Sequence, residues 1–391
     1  MFNWAGLVLR AVYYYGHLIG VSNFEFDWRT GRVFAARRST FYAIVINGIM
    51  FLLLILQSTK KMDYNLIIGK SNKLLQYVIA IVFGLRMAAG ISVVLVRWTR
   101  RTQIMRLARM VIPLFLEKPQ VIRMSRWGIL IKFIIACTTD FLQMSIIWEA
   151  MGYAKDNQIL GMVLQFWMST ILNIATSHHY LLVLFVRAYY YLLSTELRQV
   201  IEVSRKISYH PQRNGAFMTR CCSLADQLEN VAKLQSQLQS IVNQVYDVFG
   251  IQGLMVYGGY QIVTIATTYL TYSILKNGHE KLEMTLISMI LSFCWCFFYY
   301  LDAVLNLFNI LNLIDDHKKL IRQLEERTIF ASRLDVRLEE TFDNLQLQLV
   351  RNPLKIKVLN TFTITRSSTS EVFGSLITYS ILLIQYDIEY F

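Results

Sequence analysis

Proline is scarce in this 391-residue sequence: there are four, Pro113, Pro119, Pro211 and Pro353, and none falls in a long apolar run. In lipid, a helix must satisfy its own backbone polar groups, so proline-free runs favour unbroken helices over interrupted ones. Gly258-Gly259 is the one place where a broken, transporter-like helix keeps a foothold. Charge is also sparse, at 17% against 55% hydrophobic residues, with a mean hydropathy of +0.40. A soluble domain of this length needs a more polar surface. The five cysteines offer no disulfide framework and no metal-ligand spacing, so no metal is expected. The pair His178-His179 has no Asp, Glu or Cys at ligand spacing and reads as packing or hydrogen bonding. No Asn-x-Ser/Thr sequon occurs. Nucleophile elbow, phosphate loop and dinucleotide glycine run are all missing, and His279-Glu280 lacks the second histidine of a zinc-protease motif. Enzyme function therefore has no support, and no cofactor is implied.

What is present is a set of apolar blocks long enough to cross a hydrocarbon layer of roughly 30 Å as helices. They cover 40–57, 75–96, 127–150, 160–186, 246–273, 284–305 and 369–386. The expected fold is all-α: a polytopic membrane protein of seven transmembrane helices with amphipathic cytosolic helices. Residues 1–39 read as a cytosolic segment with an interfacial helix around Trp4 and Tyr13-Tyr14-Tyr15, because Arg10 interrupts any signal-peptide core. Residues 40–305 read as a six-helix bundle that includes a cytosolic extension at about 215–245. A cytosolic linker at 306–368, the last helix and a short extracellular tail at 387–391 complete the chain.

Of the 39 Lys and Arg residues, 30 fall in the N-terminus and the segments 97–126, 187–245 and 306–368, and 7 in the alternate set. Arg86 and Lys132 lie within spans. The positive-inside rule then puts the N-terminus in the cytosol and the C-terminus outside, the reverse of a G-protein-coupled receptor. The net charge of +13 reads as a membrane-facing cytosolic surface. No basic-aromatic motif points to nucleic acid.

Leu224, Leu228, Val231, Leu234, Leu238, Ile241, Val245 and Val248 recur at helical spacing before the fifth span. Leu320, Leu324, Leu334, Leu338, Phe342, Leu345 and Leu349 do the same before the last. These stripes must bury themselves, either against each other or between subunits. Within the spans, Arg86 and Asp140 fall at similar depth and are expected to form an ion pair or to line a wet cavity. Gln143, Trp148 and Glu149 on the third span, Gln165, Phe166 and Trp167 on the fourth, and Tyr269 and Tyr272 on the fifth form a candidate pocket for a small organic ligand.

The last span carries a polar stripe. Glu371, Ser375, Thr378, Leu382 and Gln385 step by four, three, four and three, which sets them on one helix face. Such a stripe packs against other helices or lines a pore, with Leu382 as an apolar ring that closes by dewetting. Asp387 and Glu389 follow it and read as an acidic outer pore mouth that concentrates cations, or as ordinary helix-end solvation.

The C-terminal run Thr378-Tyr379, five residues, then Gln385-Tyr386 resembles the signature that ends insect gustatory receptors. Tyr386 stands where that signature has phenylalanine, and Ser380 is polar within the apolar five. The resemblance implies a homo- or heterotetrameric, non-selective cation channel, opened by a small-molecule tastant, in the plasma membrane of chemosensory neurons. The candidate pocket has fewer hydrogen-bonding groups than a sugar site wants, which leans the tastant towards bitter-type compounds. It implies that the last helix lines the pore, with Gln385 and Tyr386 near the outer constriction and Thr378 and Tyr379 deeper. An insect odorant-type receptor shares this architecture; a secondary transporter or a metabotropic receptor are the other readings. A tag placed after Phe391 is expected to bind antibody on intact cells. Labelling only after permeabilisation, with surface delivery shown separately, would overturn the span count or the orientation.

Overall fold

The computed structural model describes residues 4–27, 30–58, 73–152, 156–209, 215–277, 285–329, 334–358 and 362–390. The chain begins with α1 (Trp4–Leu18), a small antiparallel pair β1 (Glu25–Phe26) and β2 (Val33–Phe34), and α2 (Arg37–Ser58). There follow α3 (Lys73–Thr99), α4 (Arg101–Glu117), α5 (Pro119–Met124), α6 (Arg126–Met151), α7 (Asp156–Ser208) and α8 (Gly215–Asn277). The rest is α9 (Leu286–Glu325), α10 (Val336–Arg351), a second pair β3 (Lys357–Val358) and β4 (Phe362–Thr363), and α11 (Arg366–Tyr390). His279, Glu280 and Glu283 lie outside the described residues.

The seven apolar blocks fall within α2, α3, α6, α7, α8, α9 and α11, apart from Met284 at the edge of the sixth, which lies outside the described residues. Among the described residues, α2, α3, α6, α7 and α9 are long and apolar enough to cross a membrane. α8 adds a sixth if its pieces Gly215–Ile251 and Gly253–Lys276, which meet at 59°, are one span. α8 runs as helix through Gly258-Gly259, and the bend lies at residue 252 instead. α11 is not in that set, because polar residues dilute its apolar run. The most apolar windows of α2, α3 and α6 are each only 22% buried, an outward-facing surface that suits lipid and not water.

Both amphipathic stripes bury themselves inside one chain. Leu228, Leu238 and Val245 of α8 share an apolar core with Leu320 and Leu324 of α9 and Leu338, Phe342 and Leu345 of α10. Two further parts of this platform were not anticipated. α7 continues past its span to Ser208 and contributes Tyr189, Tyr190, Leu193 and Leu197. α4 is an amphipathic helix that adds Ile104, Leu107, Val111 and Phe115. At its edge, Arg327 pairs with Asp343 and lies 2.7 Å from Gln346 Oε1, and Arg337 lies 2.5 Å from Asp226. His317 is buried beside Tyr190, and burial pushes its imidazole down to about 4, so it packs here as a neutral ring.

The basic cluster after the second span serves as a set of clamps. Arg101 Nη2 donates to the Asn23 carbonyl at 2.7 Å, Arg109 Nε to the Val33 carbonyl at 3.2 Å, and Arg100 to the Asp247 carbonyl. These bonds tie the β1–β2 segment and α8 to the start of α4. α1 lays Ala5 and Val8 against Ile129 of α6 and Tyr180 of α7. Gly90 of α3 lets α7 approach closely: a Cβ there would meet Met168 Sδ at 2.7 Å.

Phe342→Ala is expected to cost about 3–5 kcal/mol by emptying the platform core. Leu347→Ala, on the exposed side of the same helix, should leave stability unchanged. Heating the detergent-solubilised receptor and measuring the fraction that stays monodisperse compares them; equal losses would deny the platform a single shared core.

Candidate functional site

Where α3, α6, α7, α8 and α9 meet, the bundle encloses polar groups. Lys132 of α6, 2% exposed, pairs with Asp302 of α9. The same carboxylate accepts from the Tyr260 hydroxyl at 3.0 Å and from Asn306 Nδ2 at 3.1 Å. A charge at this depth is costly alone, so both carboxylate oxygens of Asp302 are occupied. Arg86 of α3 lays its guanidinium 4.2 Å from the Trp295 ring centroid and 5.1 Å from that of Tyr299. Both rings lie one turn apart on α9, which lets them form one cation–π wall. On the opposite side Asp140 accepts from Asn173 Nδ2 at 2.9 Å and from the Tyr15 hydroxyl at 3.0 Å, and Gln143 donates to Ser169 at 3.1 Å.

Arg86 and Asp140 therefore do not form the expected ion pair. Each has found other partners, and both line one void of about 60 Å³. The intramembrane ion pair is Lys132–Asp302 instead. Asp302 is the only acidic residue of the sixth apolar block, a signal that counting basic residues alone passed over. Trp295, Tyr299, Tyr260, Asn173 and Ser169 were likewise missed; the i, i+4 aromatic pair on α9 could have drawn attention to Arg86. The void has room for no more than a few waters and is too small for an organic molecule unless its walls move.

The eight residues proposed as a ligand pocket do not converge. Gln143 lines the void, whereas Trp148 points away from the bundle and is 79% exposed. Glu149 bonds Thr285, the residue that caps the start of α9. Gln165 is buried, Phe166 is half-buried, and Trp167 packs on the cluster around Val93 and Met168. Tyr269 and Tyr272 belong to a separate cluster with Leu75, Leu383 and Ile384. The physical reason is helical phase: similar depth does not put side chains on facing sides of their helices.

α11 leaves much of its polar stripe uncovered. Glu371, Thr378, Leu382 and Gln385 are exposed, as are Tyr379 and Tyr386, the latter ring 4.7 Å from Tyr390. Ser375 turns inward and accepts from Gln261 of α8 at 3.1 Å. Asp387 does not face outward as an acidic mouth would require. It is buried, 2.7 Å from the Tyr269 hydroxyl and 2.9 Å from Lys276 Nζ. The lysine at the end of α8 and the tyrosine hydroxyl draw the carboxylate inward. Only Glu389 of that pair stays exposed.

A family model described as 7tm Chemosensory receptor matches residues 9–390. The sequence is 55% identical to putative gustatory receptor 36a of Drosophila melanogaster over the full length of both chains. It is 52% identical to putative gustatory receptor 36c of the same fly over 98% of each chain. The fold is similar to that of the insect olfactory receptor OR5 from Machilis hrabei, with a TM-score of 0.66 at 11% identity over 97% of each chain. The same receptor in complex with eugenol matches with a TM-score of 0.66 over 98% of this chain and 99% of that one.

Lys132→Met and Asp302→Asn are each expected to destabilise by about 3–5 kcal/mol, because each strands a buried partner. Making both substitutions in one chain should cost less than the sum of the two single changes. Thermal melting of the purified receptor reads the cycle; strict additivity would mean that the two charges do not stabilise one another.

Proposed function

The chain belongs to the 7tm chemosensory receptor family, and on that premise we propose that it is a subunit of a tastant-gated, non-selective cation channel. It works as a homo- or heterotetramer in the plasma membrane of chemosensory neurons, with its N-terminus cytosolic. The observation that carries this reading is the exposed stripe of Glu371, Thr378, Leu382 and Gln385 on α11. Within one chain Glu371 accepts from Ser367 and Thr378 donates to the Gly374 carbonyl, yet among the described residues no other helix covers this face, and a ring of such helices would turn it to a shared aqueous path. Leu382 then forms the apolar constriction, with Gln385 and Tyr386 beyond it.

The tastant enters the polar void among α3, α6, α7, α8 and α9. Its partners there are the Arg86 guanidinium, which binds acceptors, and the Asp140 carboxylate, which binds hydroxyl or amine donors. Trp295 and Tyr299 add flat apolar walls, a mixture suited to bitter-type organic compounds. The olfactory receptor of similar fold has been solved in complex with eugenol, which supports a small organic ligand for a bundle of this shape.

Coupling runs through α8. Tyr260 lines the ligand void, and the next residue, Gln261, holds Ser375 of the pore helix. A ligand larger than the void must push its walls apart, and any displacement of α8 at Tyr260 reaches α11 through its neighbour in sequence.

Leu382→Ser is expected to give a standing current carried alike by sodium and potassium without any tastant, while Val350→Ser on the outer side of α10 gives none. No current from Leu382→Ser at normal surface density would remove Leu382 from the permeation path.

A further inference from the structure

α11 is held unevenly along its length. At the Asp387 end, Leu383 and Ile384 pack on Leu75 and Tyr269, and Asp387 bonds Tyr269 and Lys276. Over residues 368–376 it stands off from α8 and α9 across a cleft of about 770 Å³. Gln261–Ser375 is a hydrogen bond that crosses between α8 and α11 on this stretch.

The lining of the cleft has no charged residue. Its five threonines look polar in sequence and are apolar in place. Thr264, Thr267, Thr268 and Thr271 donate to the carbonyls four residues earlier at 2.7, 2.8, 2.9 and 2.8 Å, and Thr369 does the same at 2.8 Å. With the hydroxyls spent on their own helices, the methyl groups are what remain to face the cleft. Water gains few partners in such a space, and leaving it empty forfeits dispersion contacts along three helices. The rim is formed by exposed Leu254 on α8, Phe297 on α9 and Phe373 on α11, which continue the apolar outer surface of the spans.

We propose that this cleft is a binding site for an acyl chain of the surrounding bilayer. The chain enters between Phe297 and Phe373 and lies against the threonine methyls of α8, filling the space across which α11 stands off from α8 and α9. The site stands independently of the channel reading; only its influence on gating rests on that reading.

The test uses the full-length receptor in cell membranes containing a phosphatidylcholine with a photoactivatable group in its acyl chain. After illumination, labelled peptides are located by mass spectrometry. The expected result is several-fold more label on Met289, Cys296, Val304 and Leu376 than on Ile44, Ile49 and Ile55 of α2, which face outward without a cleft. Ala303→Trp should remove the excess and leave the α2 label unchanged, and Thr268→Leu serves if the tryptophan variant does not fold. Equal labelling of cleft and α2 would reduce the site to ordinary lipid-facing surface and overturn the proposal. An unlabelled cleft that instead joins two copies through Phe297→Cys would mean that a second subunit fills it, and would overturn it as well. Loss of current with cleft labelling intact would sink the channel reading alone.

Discussion

Three membrane helices do not stop where the apolar block ends, and this continuity governs the rest of the architecture. α7, α8 and α9 run on for several turns and join α4 and α10 in one apolar core. Inside a bilayer, lipid tails compete with side chains on equal terms, so no hydrophobic force drives helices together. In water that force is available. The platform therefore gathers the three helices where association is favourable and fixes their register where it is not. Arg100, Arg101 and Arg109 extend the same logic, joining the N-terminal segment and α8 to the platform through backbone carbonyls.

Within the bundle, order comes from polar pairing. Lys132–Asp302 with Tyr260 and Asn306 links α6, α8 and α9, and Asp140 with Asn173 and Tyr15 links α6, α7 and α1. Each network has a low-dielectric alternative that is far worse, so each selects one arrangement among the many that apolar packing permits. Asp302 and Tyr260 of the first network and Asp140 and Asn173 of the second also line the void of about 60 Å³.

The fold was largely legible because period and length are one-dimensional signals. Blocks of apolar residues marked the spans, and Leu228, Leu238, Leu338 and Phe342 announced the platform by their spacing. α4 and the extension of α7 escaped because charged and aromatic residues there mask a helical stripe that is plain once folded. The candidate site was far less legible. Sequence gives depth along a helix and not the rotation that decides which neighbour a side chain meets. Arg86 and Asp140 line one void, yet one meets Trp295 and the other Asn173. Trp148 and Tyr269 were grouped by depth, yet one is exposed and the other fully buried. Asp387 shows a third limit: a carboxylate beside a helix end reads as solvated, and only the positions of Lys276 and Tyr269 explain its burial.

Among the described residues α11 does not join the helices apolar enough to cross a membrane, and the proposed pore-lining role accounts for that economy. A helix that only anchors a chain gains from being apolar all round, whereas one that separates lipid from water must be two-faced. The inward side of α11 is held by few polar contacts, Arg366 on Asp315 at its start, Ser375 on Gln261, and Asp387 on Lys276 and Tyr269, with apolar packing concentrated at the Asp387 end. The helix is tied at both ends and stands off from its neighbours between them, so few contacts hold its middle stretch. Tyr260 of α8 touches the polar void and its neighbour Gln261 holds Ser375 of α11, so adjacent residues of one helix meet both ends of the proposed signal.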